Sequence, residues 1–415
     1  MIKIKSKIPI NWKEVSLLEE CFFDRGIEPG RNNYNTLGYG KRFLRVADLT
    51  GSRNEIIYTE IESDKESSNK DILLTLDGSV GVVKRGFKGI YSTGIRKVYF
   101  KDKKNYSDDF LYYLLQGKDI QRIINYYSKG STIKHASRSI DFMNVIIPKN
   151  KEEQQKIAEI LSKVDYNINK TEEIIQHTEK LKRGLMKELL IKGIGHKKFK
   201  KTELGEIPWE WVFGNFQTIV DKKNKNAIKP GPFGSSLKKD IYVKSGYKIY
   251  GQEQVIRGDL EFGDYYITKE KFRSLEDFKI SSGDILVSLV GTIGKIIVVP
   301  EKFKPGIINP RLIKISLDKN ISDPYYFSYL LISDLIRDQV NNMLHGGTMN
   351  ILNGAIIKKI KFPIPSIHEQ KIIVDILTSV DNKIEVYKKI KDKLNLLKKG
   401  LMNDLLSGEV RINLL

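Results

Sequence analysis

The side chains best suited to chemistry in this sequence are those that match the hydrogen-bonding edges of nucleic-acid bases. Arg42, Arg45 and Asp48 fall in a segment placed like that of Gln252, Glu253 and Gln254. Arginine pairs with guanine, glutamine with adenine, and an acid accepts from the cytosine amine. The run from Lys229 to Lys239 is a Gly/Pro loop carrying Lys229, Phe233, Ser235, Ser236, Lys238 and Lys239. Backbone N–H groups, hydroxyls and ammonium charges on such a loop suit phosphate oxygens. Arg96 and Arg311 correspond at an offset of 215 residues. The Gly130-Ser131-Thr132 turn, followed by Lys134, answers Gly346-Gly347-Thr348 at an offset of 216. Taken singly, each of these residues fits equally well as a surface-loop or strand-face side chain.

Motifs for catalysis are missing or misleading. The loop beginning at Gly231 lacks the spacing of a phosphate-binding P-loop. Asp323-Pro324-Tyr325-Tyr326 approaches the D-P-P-Y signature of amino-methyltransferases, but Tyr325 stands where the second proline belongs. An aspartate N-cap followed by proline at the first helical position explains the same residues. Glu369-x-Lys371 has the spacing of a nuclease metal site, yet it opens a helix, and the first copy reads Glu153-x-Gln155. No Cys or His stands at metal-ligand spacing. The chain reads as a binder and not as a catalyst.

The elements that must position these residues come in two copies. Residues 153–190 and 369–406 align without a gap at an offset of 216. Glu153-Gln154 recurs as Glu369-Gln370, Val164-Asp165 as Val380-Asp381, and Gly184-Leu185-Met186 as Gly400-Leu401-Met402. Upstream the offset drops to 213 at Asp71 and Asp284, and to 199 at Trp12 and Trp211. The helices match closely, whereas the domains ahead of them have drifted.

Each copy ends in a helix with an apolar stripe at steps of four and three. The stripes are Ile157, Leu161, Val164, Ile168 and Ile175, then Ile373, Leu377, Val380, Ile384 and Tyr387. Such spacing predicts two helices packed along a seam as a coiled coil, each about 60 Å long. The alternative is that each stripe packs on its own domain. Boundaries follow: a mixed domain over 1–150, a helix over 151–192, and a polar linker over 193–207. A second mixed domain covers 208–366, a second helix 367–408, and a tail 409–415. The fold class is α+β, with short strands, turns and a few helices in each domain.

Composition agrees with this reading. Seventy-one Lys and Arg against 51 Asp and Glu leave a net charge of +20 over 415 residues. That balance favours a polyanionic partner, nucleic acid above all, although a lysine-rich composition alone could also produce it. A single cysteine, Cys21, the lack of a long apolar run and the lack of a secretory start point to the cytoplasm and away from a membrane.

The residues now carry a resemblance. Ile207-Pro208, Trp211, Gly283-Asp284-Ile285-Leu286, Gly291-Thr292-Ile293-Gly294, Glu369-Gln370 and Lys399-Gly400-Leu401-Met402 resemble the specificity subunits of type I restriction–modification systems. The first copy departs at Lys70, which replaces Gly283, and at Ser79-Val80, which replace Thr292-Ile293. The resemblance covers almost the whole chain. It implies two target recognition domains, each reading half of a split, asymmetric site in double-stranded DNA. It also implies two long antiparallel helices, related as a pseudo-two-fold tandem repeat, acting as spacer and as docking surface for two modification subunits. Those subunits would bring S-adenosylmethionine and methylate adenine N6, and restriction subunits would use ATP and magnesium. The resemblance places no cofactor and no catalytic residue in this chain. A related methyltransferase–nuclease without a motor is the near alternative, and a basic coiled-coil scaffold or RNA-binding protein the distant one.

Overall fold

The structure is a computed structural model that describes residues 8–130, 133–233, 236–289, 295–344 and 354–412. It divides into two compact units, Met1–Glu173 with Lys388–Leu415, and Ile174–Tyr387. The first unit is assembled from two stretches of chain, whereas the second is one contiguous stretch. Each takes its own domain, the start of the helix that follows it, and the end of the other copy's helix.

In the first unit the strands are β1 (Trp12–Ser16), β2 (Cys21–Arg25), β3 (Lys41–Leu44), β4 (Ile57–Thr59) and β5 (Glu66–Ser67). They continue with β6 (Ile72–Thr75), β7 (Val83–Lys84), β8 (Gly89–Tyr91), β9 (Ile95–Phe100) and β10 (Asn144–Pro148). The helices include α1 (Val46–Thr50), α2 (Asp108–Gln116), α3 (Lys118–Tyr127) and the start of the long α4 (Lys151–Lys192). One sheet has the order β2-β9-β6-β7, a second β4-β3-β8-β5, and β1 pairs with β10. Within the second sheet β3 and β8 run parallel. Ser107 caps α2 by accepting from the Phe110 N–H at 3.4 Å.

The second domain follows as β11 (Phe199–Thr202), β12 (Gly205–Pro208), β13 (Val212–Asn215), β14 (Ile228–Pro230), β15 (Tyr247–Tyr250) and β16 (Tyr266–Ile267). Then come β17 (Ile285–Ser288), β18 (Ile296–Val298), β19 (Gly306–Ile308), β20 (Leu312–Ile315) and β21 (Lys361–Ile364). Its helices include α5 (Gln252–Arg257), α6 (Pro324–Ile332), α7 (Asp334–Leu344) and the long α8 (Ile367–Ser407). The sheets are β14-β20-β17-β18 and β16-β15-β19, with β13 paired to β21 and β15 parallel to β19. The topology of the first domain is thus repeated. Asp323 caps α6 by accepting from Tyr325 N–H at 2.8 Å and Tyr326 N–H at 3.1 Å, with Pro324 at the first helical position. This cap accounts for the methyltransferase-like tetrapeptide.

The segment expected to be a plain polar linker contains an antiparallel hairpin, Phe199–Thr202 against Gly205–Pro208. Its residues alternate too little in polarity to announce a strand, so the Gly205 turn is the one local signal, with φ at +105°.

The stripe residues divide between two roles. Ile157 and Leu161 enter the core of the first domain, beside Trp12, Phe110 and Leu405. Ile373 and Leu377 enter that of the second, with Met186 and Leu190. Val164, Ile175 and Ile384 are buried outside those clusters. Ile168, Val380 and Tyr387 are half-buried. Each domain is therefore sealed partly by the opposite copy's helix end, and truncating a fully buried leucine such as Leu405 costs about 2–5 kcal/mol.

Ion pairs fix the direction of the helix segments within each unit. In the first, Glu172 meets Lys391 at 2.6 Å, Asp165 meets Lys398 at 2.6 Å, and Glu153 meets Arg411 at 2.8 Å. One partner's number rises as the other's falls, so the segments are antiparallel. In the second unit Lys182 meets Asp381 at 2.6 Å, and His196, just beyond α4, meets Glu369 at 2.9 Å, with the same sense.

Candidate nucleic-acid interface

The pairing registers align the two domains residue by residue. Phe43 pairs with Ile90 and Leu44 with Tyr91, as Ile249 pairs with Ile307 and Tyr250 with Ile308. Close approach fixes glycine at matching points. A Cβ on Gly89 would lie 2.2 Å from the Arg42 carbonyl oxygen, and one on Gly306 2.0 Å from that of Lys248. Gly26 and Gly231 are held likewise, against the carbonyls of Tyr91 and Asn309. Beyond these shared points the connecting loops differ, and they carry the exposed Leu37 and Tyr39 in one domain and Phe233 in the other.

Register also corrects one sequence alignment. Thr75 pairs with Ile95 and Ser288 with Leu312, so Arg96 matches Ile313 and Arg311 matches Gly94. Arg96 and Arg311 are not equivalents. The structural offset is 217 on both sides of the turn before this strand, two more than the pairing of Arg96 with Arg311 assumes.

In the first domain most candidate readers are tied into the fold. Asp48 accepts from the Arg45 N–H at 2.8 Å and pairs with the Arg45 guanidinium at 3.0 Å, capping α1. Arg96 is buried, and it donates to the Thr93 carbonyl at 2.6 Å and to Ser137 Oγ at 2.9 Å. Burial lowers its affinity for a proton, and Asp77 at 3.9 Å opposes that. Arg42 lies over the Phe87 ring at 5.8 Å. Lys134 is exposed, next to His135, whose Nδ1 is 2.8 Å from Asp77. Ser131 and Thr132 lie outside the described residues.

In the second domain Gln254 is buried. It accepts from the Gly251 N–H at 2.9 Å and donates to the Phe262 carbonyl at 3.0 Å. It fills the same capping position as Asp48, since each sits three residues into the turn that follows the parallel strand. Lys229 is 3.6 Å from Asp277 and lies over Phe278. Phe233 is 88% exposed; Lys238 and Lys239 are exposed and Ser236 half-buried. Gln252 is half-buried, and its Oε1 has no hydrogen-bond partner among the described residues. Arg311 is exposed. Ser235 and Thr348 lie outside the described residues.

Sequence reasoning missed two sets of residues that anchor the domains to the helices. Trp12 Nε1–H donates to Glu153 at 3.2 Å, and Trp211 Nε1–H to Glu369 at 2.9 Å. Each carboxylate also meets a second group, the Arg411 guanidinium or the His196 ring. The adjoining glutamines bind the chain ahead of them. Gln154 accepts from Ser107 N–H at 2.9 Å, and Gln370 from Asp323 N–H at 2.8 Å. These bonds account for the Trp and Glu-Gln motifs and leave Glu369-x-Lys371 no free carboxylate for a metal. In the second set, Tyr113 donates to Asp165 at 3.0 Å and Tyr329 to Asp381 at 2.7 Å, with Lys398 and Lys182 respectively on the two acids. Burial, then the neighbouring acid, pushes the Tyr113 hydroxyl up. The recurrence of Tyr, Asp and Lys at one offset was the available signal.

Two buried lysines have their affinity for protons lowered by burial, Lys248 and Lys314. Both spend their ammonium on carbonyls, Lys248 on Glu261 at 2.7 Å and Lys314 on Lys279 at 2.7 Å. Among the described residues no group of three or more His, Cys, Asp or Glu could hold a metal ion. Among them, too, no helix is long and apolar enough to cross a membrane.

Comparison with known proteins places this architecture. The model of the type I restriction modification DNA specificity domain matches residues 9–180 and again 210–396. The type I restriction enzyme MjaVIII specificity subunit of Methanocaldococcus jannaschii is 28% identical, covering 98% of this chain and 94% of that protein. The EcoBI specificity subunit of Escherichia coli is 22% identical, covering 88% and 78%. Among solved structures, the S subunit of a type I system from M. genitalium has a TM-score of 0.58 at 16% identity, covering 98% of each chain. A chain solved for the assembly and conformational transition of the type I R-M system also has a TM-score of 0.58, at 15% identity, covering 98% of this chain and 100% of that one. At these identities the structural likeness is one of fold.

Proposed function

The chain belongs to the type I restriction modification DNA specificity family, and on that premise we propose that its two domains each read one half of a bipartite, asymmetric duplex site. One observation carries this reading. The two domains share topology, capping positions and helix anchors, whereas the side chains set on that frame differ. A frame held constant beneath changed surfaces is what two readers of different half-sequences require. The net charge of +20 supports a phosphate-driven affinity that falls linearly, on logarithmic scales, with salt.

The long helices serve as the spacer between readers and as the docking surface for two modification subunits. Ile174 and Leu181 lie seven residues apart with their side chains exposed, and the repeat places Ile390 and Leu397, also exposed, at equivalent positions. Apolar residues at heptad spacing on an exposed helix face suit an incoming helix. Two equivalent stripes suit two copies of one partner. Those subunits bring S-adenosylmethionine and methylate adenine N6, and restriction subunits add ATP- and magnesium-dependent cleavage. This chain itself supplies recognition and no catalytic group, and it works in the cytoplasm.

Enrichment from random duplex pools, with and without purified modification subunits, tests the proposal. Two short motifs separated by a fixed gap are the expected product. The absence of any enriched duplex motif would refute it.

A further inference from the structure

Several polar side chains around the parallel strands of the second domain are committed to the fold. Lys248 and Lys314 are spent on carbonyls, Lys229 faces Asp277, Arg257 lies 4.0 Å from the Phe262 ring centre, and Gln254 caps a helix. Arg311 and Gln252, which flank these strands, are not among them. No described residue pairs with the exposed Arg311 guanidinium, and the Gln252 Oε1 is buried without a hydrogen-bond partner among the described residues.

These two side chains belong to one place. Gln252 opens α5 just past the carboxyl end of β15, and Arg311 lies just past the carboxyl end of the parallel neighbour β19. The crevice beyond the carboxyl ends of parallel strands is where open sheets bind ligands. Asn309 joins the two turns. Its Oδ1 accepts from the Arg311 N–H at 2.9 Å, and its Nδ2 lies 2.6 Å from where a Cβ on Gly251 would stand.

The first domain shows what the same backbone does without them. Leu76 N–H donates to the Gly94 carbonyl at 2.9 Å, as Leu289 N–H donates to that of Arg311 at 3.0 Å. Gly94 therefore occupies the place of Arg311, and Val46 that of Gln252. A Cβ on Gly94 would lie 2.8 Å from Val46 Cγ2, so these positions adjoin and are closed by an apolar contact. A residue that holds phosphate gains nothing from differing between the copies, because the DNA backbone is the same at both half-sites. A residue that reads bases must differ if the half-sites differ.

We infer that Arg311 and Gln252 read bases in the second half-site, Arg311 a guanine and Gln252 an adenine, with Asn309 positioning the arginine turn. Arginine donates two hydrogen bonds to guanine O6 and N7, and glutamine matches adenine N6 and N7. The inference rests on the bipartite-site reading and is tested separately from it.

Arg311→Ala, Arg311→Lys and Gln252→Ala are each assembled with the modification subunits and selected on random duplexes beside the wild type. Arg311→Ala is expected to make one guanine position of the second half-site degenerate, weakening the wild-type site roughly 10- to 100-fold. The first half-site and the gap stay as they were, which also shows that the complex is folded. Arg311→Lys keeps the charge but loses the paired donors, so the same position is expected to degenerate. Gln252→Ala is expected to relax one adenine position of the same half-site. If Arg311→Lys keeps the full motif, or if the degenerate position falls in the first half-site, the assignment is overturned. If the wild type itself yields no split motif, the parent reading fails and this one with it.

Discussion

Glu369 is the most informative residue to remove. Its carboxylate accepts from Trp211 Nε1–H at 2.9 Å and Ile194 N–H at 3.0 Å, and it meets His196 Nε2 at 2.9 Å. Trp211 is 2% exposed, so Glu369→Ala leaves its N–H without water as a substitute. A buried donor stranded in this way costs about 1–3 kcal/mol. Ile194 and His196 lie nearer the surface, where water replaces part of what they lose, so a total of about 3 kcal/mol follows. For a unit of this size that corresponds to a fall in Tm of roughly 6–12 °C. Glu369→Gln keeps one acceptor oxygen and should lose about half as much. Thermal unfolding of the full chain, followed by circular dichroism and checked by urea titration, measures both. A fall of less than about 2 °C for Glu369→Ala would refute the anchoring role. Loss of cleavage by the assembled complex, with Tm and DNA binding unchanged in Glu369→Gln, would instead restore the nuclease reading of Glu369-x-Lys371.

Two further perturbations address other parts of the account. Leu181→Glu and Leu397→Glu place charge on exposed, repeat-related helix positions. Each is expected to leave Tm within about 2 °C and to remove one modification subunit, counted by native mass spectrometry, with neither lost if the stripes are not docking surfaces. Burial works to raise the Asp24 carboxyl, but the Lys65 ammonium and Tyr91 hydroxyl outweigh it and hold it below the usual carboxylate range. Because the folded-state value lies below the unfolded one, the stabilisation is complete above the unfolded value and is lost as pH falls through the folded one. The stability difference between wild type and Asp24→Asn should therefore be largest near neutrality and shrink below about pH 4. A difference independent of pH would contradict the ion pair.

The helices and the duplication were legible in the sequence because their signals are local. A gapless offset of 216 and a stripe at steps of four and three need no knowledge of distant contacts. The anchors were visible only as unexplained motifs. Trp12 and Glu153 are 141 residues apart, and nothing local ties an indole to a carboxylate at that separation. Several candidate readers went to the fold for a related reason. Asp48 and Gln254 look like base-reading groups by type, but a turn capped by its third residue uses the same groups. Arg96 looked equivalent to Arg311 until the strand register showed otherwise, since too few identical residues surround the strand to fix its offset to within two. The stripes predicted a helix seam without saying which domain each helix end would join. Leu405 belongs to the first domain's core and Leu190 to the second's, so each copy's helix end completes the other.

The central claim is that two independent readers are held at a distance set by the helices. Inserting one heptad into each long helix at repeat-matched positions keeps the apolar seam in register and lengthens both by about 10 Å. Selection from random duplex pools by the assembled complex should then return the wild-type half-sequences with a gap longer by about three base pairs, at roughly 3.4 Å each. An unchanged gap at full affinity, or altered half-sequences at the original gap, would contradict the account.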